Sequence, residues 1–238
     1  MSRMASIPTG RGSWGDPLPF DHRIIIGPLR DVVRLLRQRP DFLRFEAAFM
    51  IYGVAFMMLM PVVPLYLVDD LRLSYATIGL ARGTVCQLFM IIAIFIFGRW
   101  FDRSTPHRMA VSIFLLLAFY PLALLAALPL AGTWRDAAIY MAFAVFGVAM
   151  SGITVLWSLS SLRFSGGEDA GVYQSVHVAA TGLRGMTAPL LGYMVMIHFG
   201  KPTAFIISSV LWVTASAAMV LMRKIDIRRG QNRSLRAT

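Results

Sequence analysis

The sequence predicts an all-α, polytopic membrane protein built on a bundle of six transmembrane helices. Three observations support this prediction: the composition, the lengths of the apolar segments and the distribution of positive charge. Of the 238 residues, 57% are hydrophobic and only 15% are charged, and the mean hydropathy is +0.65. Soluble domains are about 45–50% apolar and about 25% charged. A soluble core of this size could not bury so much apolar surface.

Six apolar segments are long enough to cross a bilayer, which requires about 20 residues of helix. A soluble protein can bury one such helix, but six in succession are typical of a membrane bundle. Charged residues, glycines and prolines separate the segments and supply the turns. In chain order the predicted segments are Ala47–Val68, Ala76–Phe97, Met109–Leu130, Ala137–Leu159, Val176–Phe199 and Thr203–Met222.

Lys and Arg are distributed very unevenly among the loops, and this asymmetry predicts orientation. With the N-terminus inside, the cytoplasmic segments hold 18 of the 23 basic residues, whereas the external loops hold three: Arg72, Arg135 and Lys201. The sequence therefore predicts an N-in, C-in protein of the cell membrane, plasma or inner. The same distribution explains the net charge of +11 without a nucleic-acid partner.

The chain divides into four predicted regions. Residues 1–27 form a basic segment rich in Gly, Pro and Ser that we expect to be disordered. Residues 28–45 have the apolar spacing of an amphipathic cytoplasmic helix, either lying on the membrane surface or packed on the membrane domain. Residues 46–223 form the six-helix transmembrane domain, and residues 224–238 form a basic cytoplasmic tail.

The chain lacks the residue patterns of a soluble enzyme. It has no phosphate-binding Gly-Lys-Ser/Thr loop and no His or Cys cluster with metal-ligand spacing. The single cysteine, Cys86, cannot form an internal disulfide. We therefore expect neither enzymatic activity nor a cofactor or metal site.

Polar side chains inside the predicted helices are the candidates for a substrate pathway, because charges in a membrane are costly and usually functional. The candidates are Arg184, Arg82, Gln87, His177 and Gln174. No Asp or Glu lies deep in any predicted segment, so we expect no proton-relay carboxylate in this bundle. Three explanations remain open for the two arginines: hydrogen bonds to backbone carbonyls, acids in a second half or subunit, or an anionic substrate.

The loop that follows the second segment, Gly98–Arg108, resembles the signature loop of the major facilitator superfamily. That signature has a Gly, then Asp-Arg, then further basic residues between two helices. The resemblance implies that this loop is a conformational switch. Gly98 would let two helix ends approach, Asp102 would pair with neighbouring helix ends, and Arg103 and Arg108 would anchor the loop in the cytoplasm.

The fifth segment is similar to the glycine- and proline-bearing fifth or eleventh helix of the same superfamily. Small residues recur along it at steps of four and three, which predicts close packing against another helix. Pro189 favours a kink. The predicted packing residues are Gly182, Gly185, Ala188, Pro189 and Gly192.

The resemblance covers about residues 28–222 and is greatest to the second half of a twelve-helix transporter. It implies secondary transport of a small solute, with an anion as one candidate, by alternating access against a second six-helix half. That half could be a separate chain, a second copy, or the front of a longer reading frame. The alternative is a membrane scaffold or assembly subunit that keeps the half fold without transporting. The expected partners are thus a solute, the lipid bilayer and a second half.

Overall fold

The computed structural model of the protein describes residue 32, residues 34–167 and residues 169–237, with side chains up to residue 225. The predicted disordered segment 1–27 and residues 28–31 of the predicted amphipathic helix lie outside the described residues. In the rest of that predicted segment, Val32 and residues 34–38 are helical, and residues 40–45 form the start of the first long helix, which begins at Pro40. Val32, Leu35 and Leu36 pack against the hydrophobic core of the bundle.

In the described part of the chain, six long helices follow one another with short connections. The first ends in a π-helical turn, Tyr66–Asp70, and the second contains a π-helical segment, Leu80–Val85. The helices are α1 (Pro40–Asp70), α2 (Tyr75–Arg103), α3 (Pro106–Ala126), α4 (Gly132–Ser165), α5 (Ala170–Phe199) and α6 (Lys201–Ala237).

Local chemistry explains where these helices begin and end. The Ser74 hydroxyl caps α2 by accepting the Thr77 N–H at 3.0 Å, and the Asp169 carboxylate at the start of α5 accepts the Gly171 N–H at 2.8 Å. Gly166, in the left-handed region with φ of 57°, ends α4. The predicted third segment extends too far, because α3 ends at Ala126 and residues 127–129 form turns.

Five of the six helices are long and apolar enough to span a membrane: Pro40–Asp70, Tyr75–Arg103, Pro106–Ala126, Gly132–Ser165 and Lys201–Ile225. Helix α5 has 30 residues, but it is less apolar because it carries Arg184, two histidines and several glycines. The all-α prediction is confirmed over the described residues. The sixth span stays a prediction.

Side-chain contacts give the directions of the helices. Residues further along α1 contact residues further along α5, so these two helices are parallel. Residues further along α1 contact residues earlier in α6, so α6 is antiparallel to α1. The pairs are Glu46 with His177, Phe49 with Arg184 and Met58 with Gly192 for α1 and α5, and Tyr52 with Trp212 and Asp70 with Lys201 for α1 and α6.

Because successive helices run in opposite directions, the connections between them lie at two opposite ends of the bundle. The Arg103 end contains the start of α1, the α2–α3 connection and the α4–α5 connection, and Phe42 packs there on Phe164 and Tyr173. The Lys201 end is opposite and contains the α5–α6 connection. The membrane part of α6 therefore ends at the same end of the bundle at which α1 begins.

Small residues let helices approach closely at some of the predicted positions. A Cβ at Gly192 would collide with the backbone carbonyl of Met58 in α1, and one at Gly147 would collide with the carbonyl of Cys86 in α2. Ala188 is fully buried. Gly185 packs more loosely, because a Cβ added there would lie 3.8 Å from the Met57 sulfur, an ordinary van der Waals distance.

The close approach expected at Gly182 and Gly98 is not present. A Cβ at either position would meet nothing within 4 Å among the described residues. Gly182 is two residues from Arg184, about 200° around the helix, so it faces away from α1 and is exposed. Ala188 and Gly192 thus lie on the face of α5 that packs on α1, whereas Gly182 does not.

Helices α2 and α5 lie at the edges of the bundle. Only 22% of the most apolar stretch of α2 is buried within the bundle, against 61% for α4. Large apolar side chains such as Phe95 and Ile96 on α2 and Met186 and Leu190 on α5 are exposed. These two helices therefore present apolar surface to lipid or to another helix bundle.

We expect Gly192→Ala to destabilise the bundle by about 1–3 kcal/mol, because the added methyl must push α1 and α5 apart. Gly182→Ala is the matched control on the same helix. Its methyl meets open space and alanine favours helix by about 1 kcal/mol. Unfolding of the purified chain in detergent with increasing SDS measures both effects. Equal stabilities of the two variants would contradict the packing described here.

Candidate functional site

The main candidate site is a buried polar cluster between α1 and α5, formed by Glu46, His177, Thr181 and Arg184. We call it the α1–α5 cluster. His177, Thr181 and Arg184 recur at steps of four and three, so they share one face of α5. Glu46 faces them from α1. The parallel register of the two helices thus places the polar face of α5 against the face of α1 that carries Glu46 and Phe49.

Glu46 and His177 form a buried hydrogen-bonded pair. Glu46 Oε1 lies 2.7 Å from His177 Nδ1, and the two side chains are 5% and 0% exposed. The Phe49 and Trp157 rings pack on the imidazole at 4.8 and 5.6 Å. Glu46 Oε2 and His177 Nε2 are buried and have no hydrogen-bond partner among the described residues. The pair is therefore closed off from water, and each side chain keeps one buried polar atom without a partner in the described part of the chain.

Arg184 is buried about two helical turns from His177. Its Nη1 donates to the Phe49 carbonyl at 3.1 Å, and its Nη2 donates to the Thr181 hydroxyl at 2.9 Å. Its guanidinium carbon lies 5.6 Å from the centre of the Phe49 ring, within the range of a cation–π interaction. Nε is buried without a partner in the described part of the chain. Of the three explanations for this arginine, bonding to a backbone carbonyl is the one that the structure shows.

Gly53 makes room for the arginine. A Cβ at this position would collide with the Arg184 guanidinium. Gly53 follows Glu46 by seven residues, just as Arg184 follows His177 by seven, so the same face of α1 receives both α5 side chains. Sequence analysis missed Gly53, and the seven-residue spacing from Glu46 is the signal that could have found it.

We expected no Asp or Glu deep in a helix, but Glu46 is buried between α1 and α5. We placed Glu46 at the inner end of a segment starting near Ala47, but α1 begins at Pro40. Glu46 therefore lies about 9 Å along the helix and is only 4% exposed. The error came from the charges of Asp41 and Arg44, which make the first turn polar without ending the helix.

A second feature is a recess that we call the aromatic recess. Half of its ten lining residues are aromatic, the Tyr120 and Phe146 rings lie 4.4 Å apart, and its volume is about 60 Å³. Arg82 is the charged residue at its rim, and among the described residues it has no hydrogen-bond or ion-pair partner. The lining residues are Phe56, Leu59, Met60, Val63, Pro64, Arg82, Tyr120, Phe143, Phe146 and Trp212.

The architecture and the buried polar residues agree with a family match. The family model of the Major Facilitator Superfamily matches residues 47–237. The chain belongs to the Major Facilitator Superfamily. It is therefore a multi-pass membrane protein of a transporter family, as the Gly98–Arg108 loop and α5 predicted. The chain matches no curated protein and no solved structure.

Within this superfamily chain, the five predicted pathway residues do not form one site. Arg184 and His177 lie in the α1–α5 cluster, whereas Arg82 lies at the aromatic recess. The Gln174 side-chain oxygen accepts from the Ser161 hydroxyl at 2.6 Å, where α4 meets α5. Gln87 is exposed on α2, and the structure brings it to neither feature.

A charged contact joins α1 and α6 at the Lys201 end. Lys201 Nζ lies 2.9 Å from Asp69 Oδ2 and 2.5 Å from Asp70 Oδ2, and it also donates to the Leu65 carbonyl at 3.4 Å. At the opposite end, the predicted switch residues Asp102, Arg103 and Arg108 line an open cleft. The bundle thus carries charged groups at both ends and a buried polar cluster between them.

A double-mutant cycle tests the fit between Gly53 and Arg184. We expect Gly53→Ala to lower the free energy of unfolding by about 1–3 kcal/mol, because the methyl displaces a packed guanidinium. In an Arg184→Ala background the same change should cost almost nothing, because the space is then empty. SDS-induced unfolding of the four purified proteins measures the coupling. Additive effects would show that the two residues are not in contact.

Proposed function

We propose that this chain is one half of a secondary transporter that moves a small organic anion by rocking against a second six-helix half. The α1–α5 cluster carries this proposal. Three ionisable side chains are buried together inside a bundle of apolar helices, and ionisable residues in such a position in a membrane protein mark substrate or proton pathways. Membership of a transporter superfamily supports the same conclusion. The second half would be another chain, a second copy or a further segment of a longer protein.

The aromatic recess is the proposed wall of the substrate site. The Arg82 guanidinium offers hydrogen-bond donors suited to a carboxylate, and aromatic rings suit the apolar body of the solute. A volume of about 60 Å³ is small beside the roughly 300–1,000 Å³ of a ligand pocket. The rest of the site would come from the second half, since superfamily substrates bind between two halves.

The Glu46–His177 pair is the proposed proton site. With a neutral imidazole and an ionised carboxylate, Glu46 balances the charge of Arg184. Uptake of one proton leaves the α1–α5 cluster with a net positive charge. Because the cluster lies in the contact between α1 and α5, that change in charge alters the energy of their packing. Proton uptake would thereby bias the position of one helix against the other.

We propose that the Arg103 end faces the cytoplasm, because basic residues concentrate in cytoplasmic loops. Arg103, Arg108, Arg163 and Arg223 line the cleft at that end. The chain would then be N-in and C-in, with the α2–α3 loop as a conformational switch. Contacts of Val32, Leu35 and Leu36 with the core support a preceding cytoplasmic helix packed on the bundle rather than lying free on the membrane.

Uptake into vesicles from cells that express the full chain tests the transport proposal. With benzoate, nicotinate, lactate and choline as labelled probes, we expect uptake of an aromatic carboxylate and none of choline. Arg82→Gln should lower that uptake about 10–100-fold, the effect of a lost charged hydrogen bond. Arg72→Gln, an exposed arginine at the Lys201 end, is the control.

Absence of uptake for all probes, together with a stable monomer on blue-native electrophoresis, would contradict the transport proposal. That result would favour the alternative, a membrane scaffold that keeps the fold.

The role of the proton site has its own test. Glu46→Gln removes the titratable carboxylate but keeps a hydrogen-bonding side chain next to His177. We expect this variant to lose uptake driven by an acidic exterior while retaining exchange of labelled for unlabelled solute. Asp41→Asn is the matched control, because Asp41 is a partly exposed acid near the start of the same helix, paired with Arg39 at 3.7 Å and outside the α1–α5 cluster. Gradient-driven uptake by the Glu46 variant at the wild-type rate would exclude a coupling role.

A further inference from the structure

The Arg103 end contains an open cleft of about 480 Å³ where four helices and a loop meet. We call it the basic cleft. The end of α2, the α2–α3 loop, the start of α3, the end of α4 and the membrane-proximal end of α6 all contribute to it. Its lining residues are Asp102, Arg103, Ser104, Thr105, His107, Arg108, Arg163 and Arg223.

Positive charge dominates the basic cleft. Among the described residues, four arginines and one acid, Asp102, line it. Guanidinium groups bind phosphate through paired, charge-assisted hydrogen bonds. The volume of the cleft falls within the roughly 300–1,000 Å³ of small-molecule sites, so a phosphate-bearing group can enter between the arginines.

Two further groups in the basic cleft suit an oxyanion. The Ser104 hydroxyl is buried and has no hydrogen-bond partner in the part of the chain that the structure describes. The N-terminus of α3 opens beside it, and the Thr105 side chain does not cap that terminus. A helix N-terminus carries a partial positive charge. Pro106 at the first position of α3 has no N–H, and the Arg108 and Met109 N–H groups donate to the Thr105 carbonyl. The Ser104 hydroxyl therefore adds a hydrogen-bond donor, and the helix terminus adds positive charge, to the arginines.

An exposed apolar strip leads from the basic cleft along α2. Ile92, Ile96 and Arg103 are separated by four and seven residues, so they share one face of the helix. The two isoleucines are 56% and 64% exposed. From Arg103 to Ile92 the helix rises about 16 Å, close to the roughly 15 Å depth of one leaflet's hydrocarbon layer. The basic cleft is thus placed to receive the phosphate of a phospholipid, and the apolar strip is about as long as one of its acyl chains.

We propose that the basic cleft binds the phosphate of an anionic phospholipid, whose acyl chain lies along Ile96 and Ile92. The bound headgroup contacts the α2–α3 loop and the ends of α4 and α6 together. It therefore restrains the loop that connects the edge helix α2 to the rest of the bundle. This lipid site does not depend on which solute the protein moves.

Native mass spectrometry of the purified full chain, with added phosphatidylglycerol or phosphatidylcholine, measures the binding. We expect one phosphatidylglycerol to remain bound where phosphatidylcholine does not. Arg103→Gln and Arg163→Gln should each weaken its binding about fivefold, from about 1 kcal/mol per basic residue near an anionic lipid. Arg72→Gln, at the Lys201 end, should leave the binding unchanged.

Asp102→Asn provides a test in the opposite direction, because it removes the one acid among the described residues that line the basic cleft. We expect this variant to bind phosphatidylglycerol more tightly than the wild type. Equal retention of the two lipids, or equal effects of Arg103→Gln and Arg72→Gln, would overturn the proposal. Displacement of phosphatidylglycerol by millimolar inorganic phosphate, with phosphate alone stabilising the protein equally, would assign the site to a soluble anion and overturn the lipid assignment.

Discussion

Arg184 imposes the strongest constraint on the bundle, because a guanidinium buried among the helices must find hydrogen-bond acceptors within the protein. The Phe49 carbonyl and the Thr181 hydroxyl supply them, and Gly53 provides the space. These contacts fix the register of α1 against α5. One turn or more away, the same register brings Glu46 to His177 and Gly192 onto the Met58 backbone. The polar cluster and the packing face are thus consequences of one alignment.

The sequence predicted the elements whose signal lies in composition and local spacing. Apolar length gave the helices, and the spacing around Ala188 and Gly192 gave the packing face of α5. The partners across helices were not predictable in the same way. Glu46 looked like a residue of the helix entrance because Asp41 and Arg44 precede it. Only the pairing with His177, 131 positions away, shows that the carboxylate is buried.

Contacts between helices, which local spacing does not reveal, also explain why the predicted pathway residues Arg184 and Arg82 lie in two separate features, the α1–α5 cluster and the aromatic recess. Arg184 and Arg82 have similar sequence environments, each a single arginine in an apolar helix. Their surroundings differ because α5 packs against α1 through its polar face, whereas the rim position of Arg82 in the π-helical segment of α2 is exposed. Nothing in the chain near Arg82 indicates that residues from α1, α3, α4 and α6 will form a recess beside it.

Helix α1 contributes to both the α1–α5 cluster and the aromatic recess, and polar contacts hold it near each of its two ends. Its first half is held by the α1–α5 cluster, and its last turn is held by Lys201 through Asp69 and Asp70. Between these supports lie Pro61 and Pro64, and a proline inside a helix removes one backbone hydrogen bond and clashes with the carbonyl four residues earlier. The segment between the supports is therefore the part of α1 that bends at the lowest cost. It also forms one wall of the aromatic recess, so a bend at the prolines changes the recess while the α1–α5 cluster keeps its register.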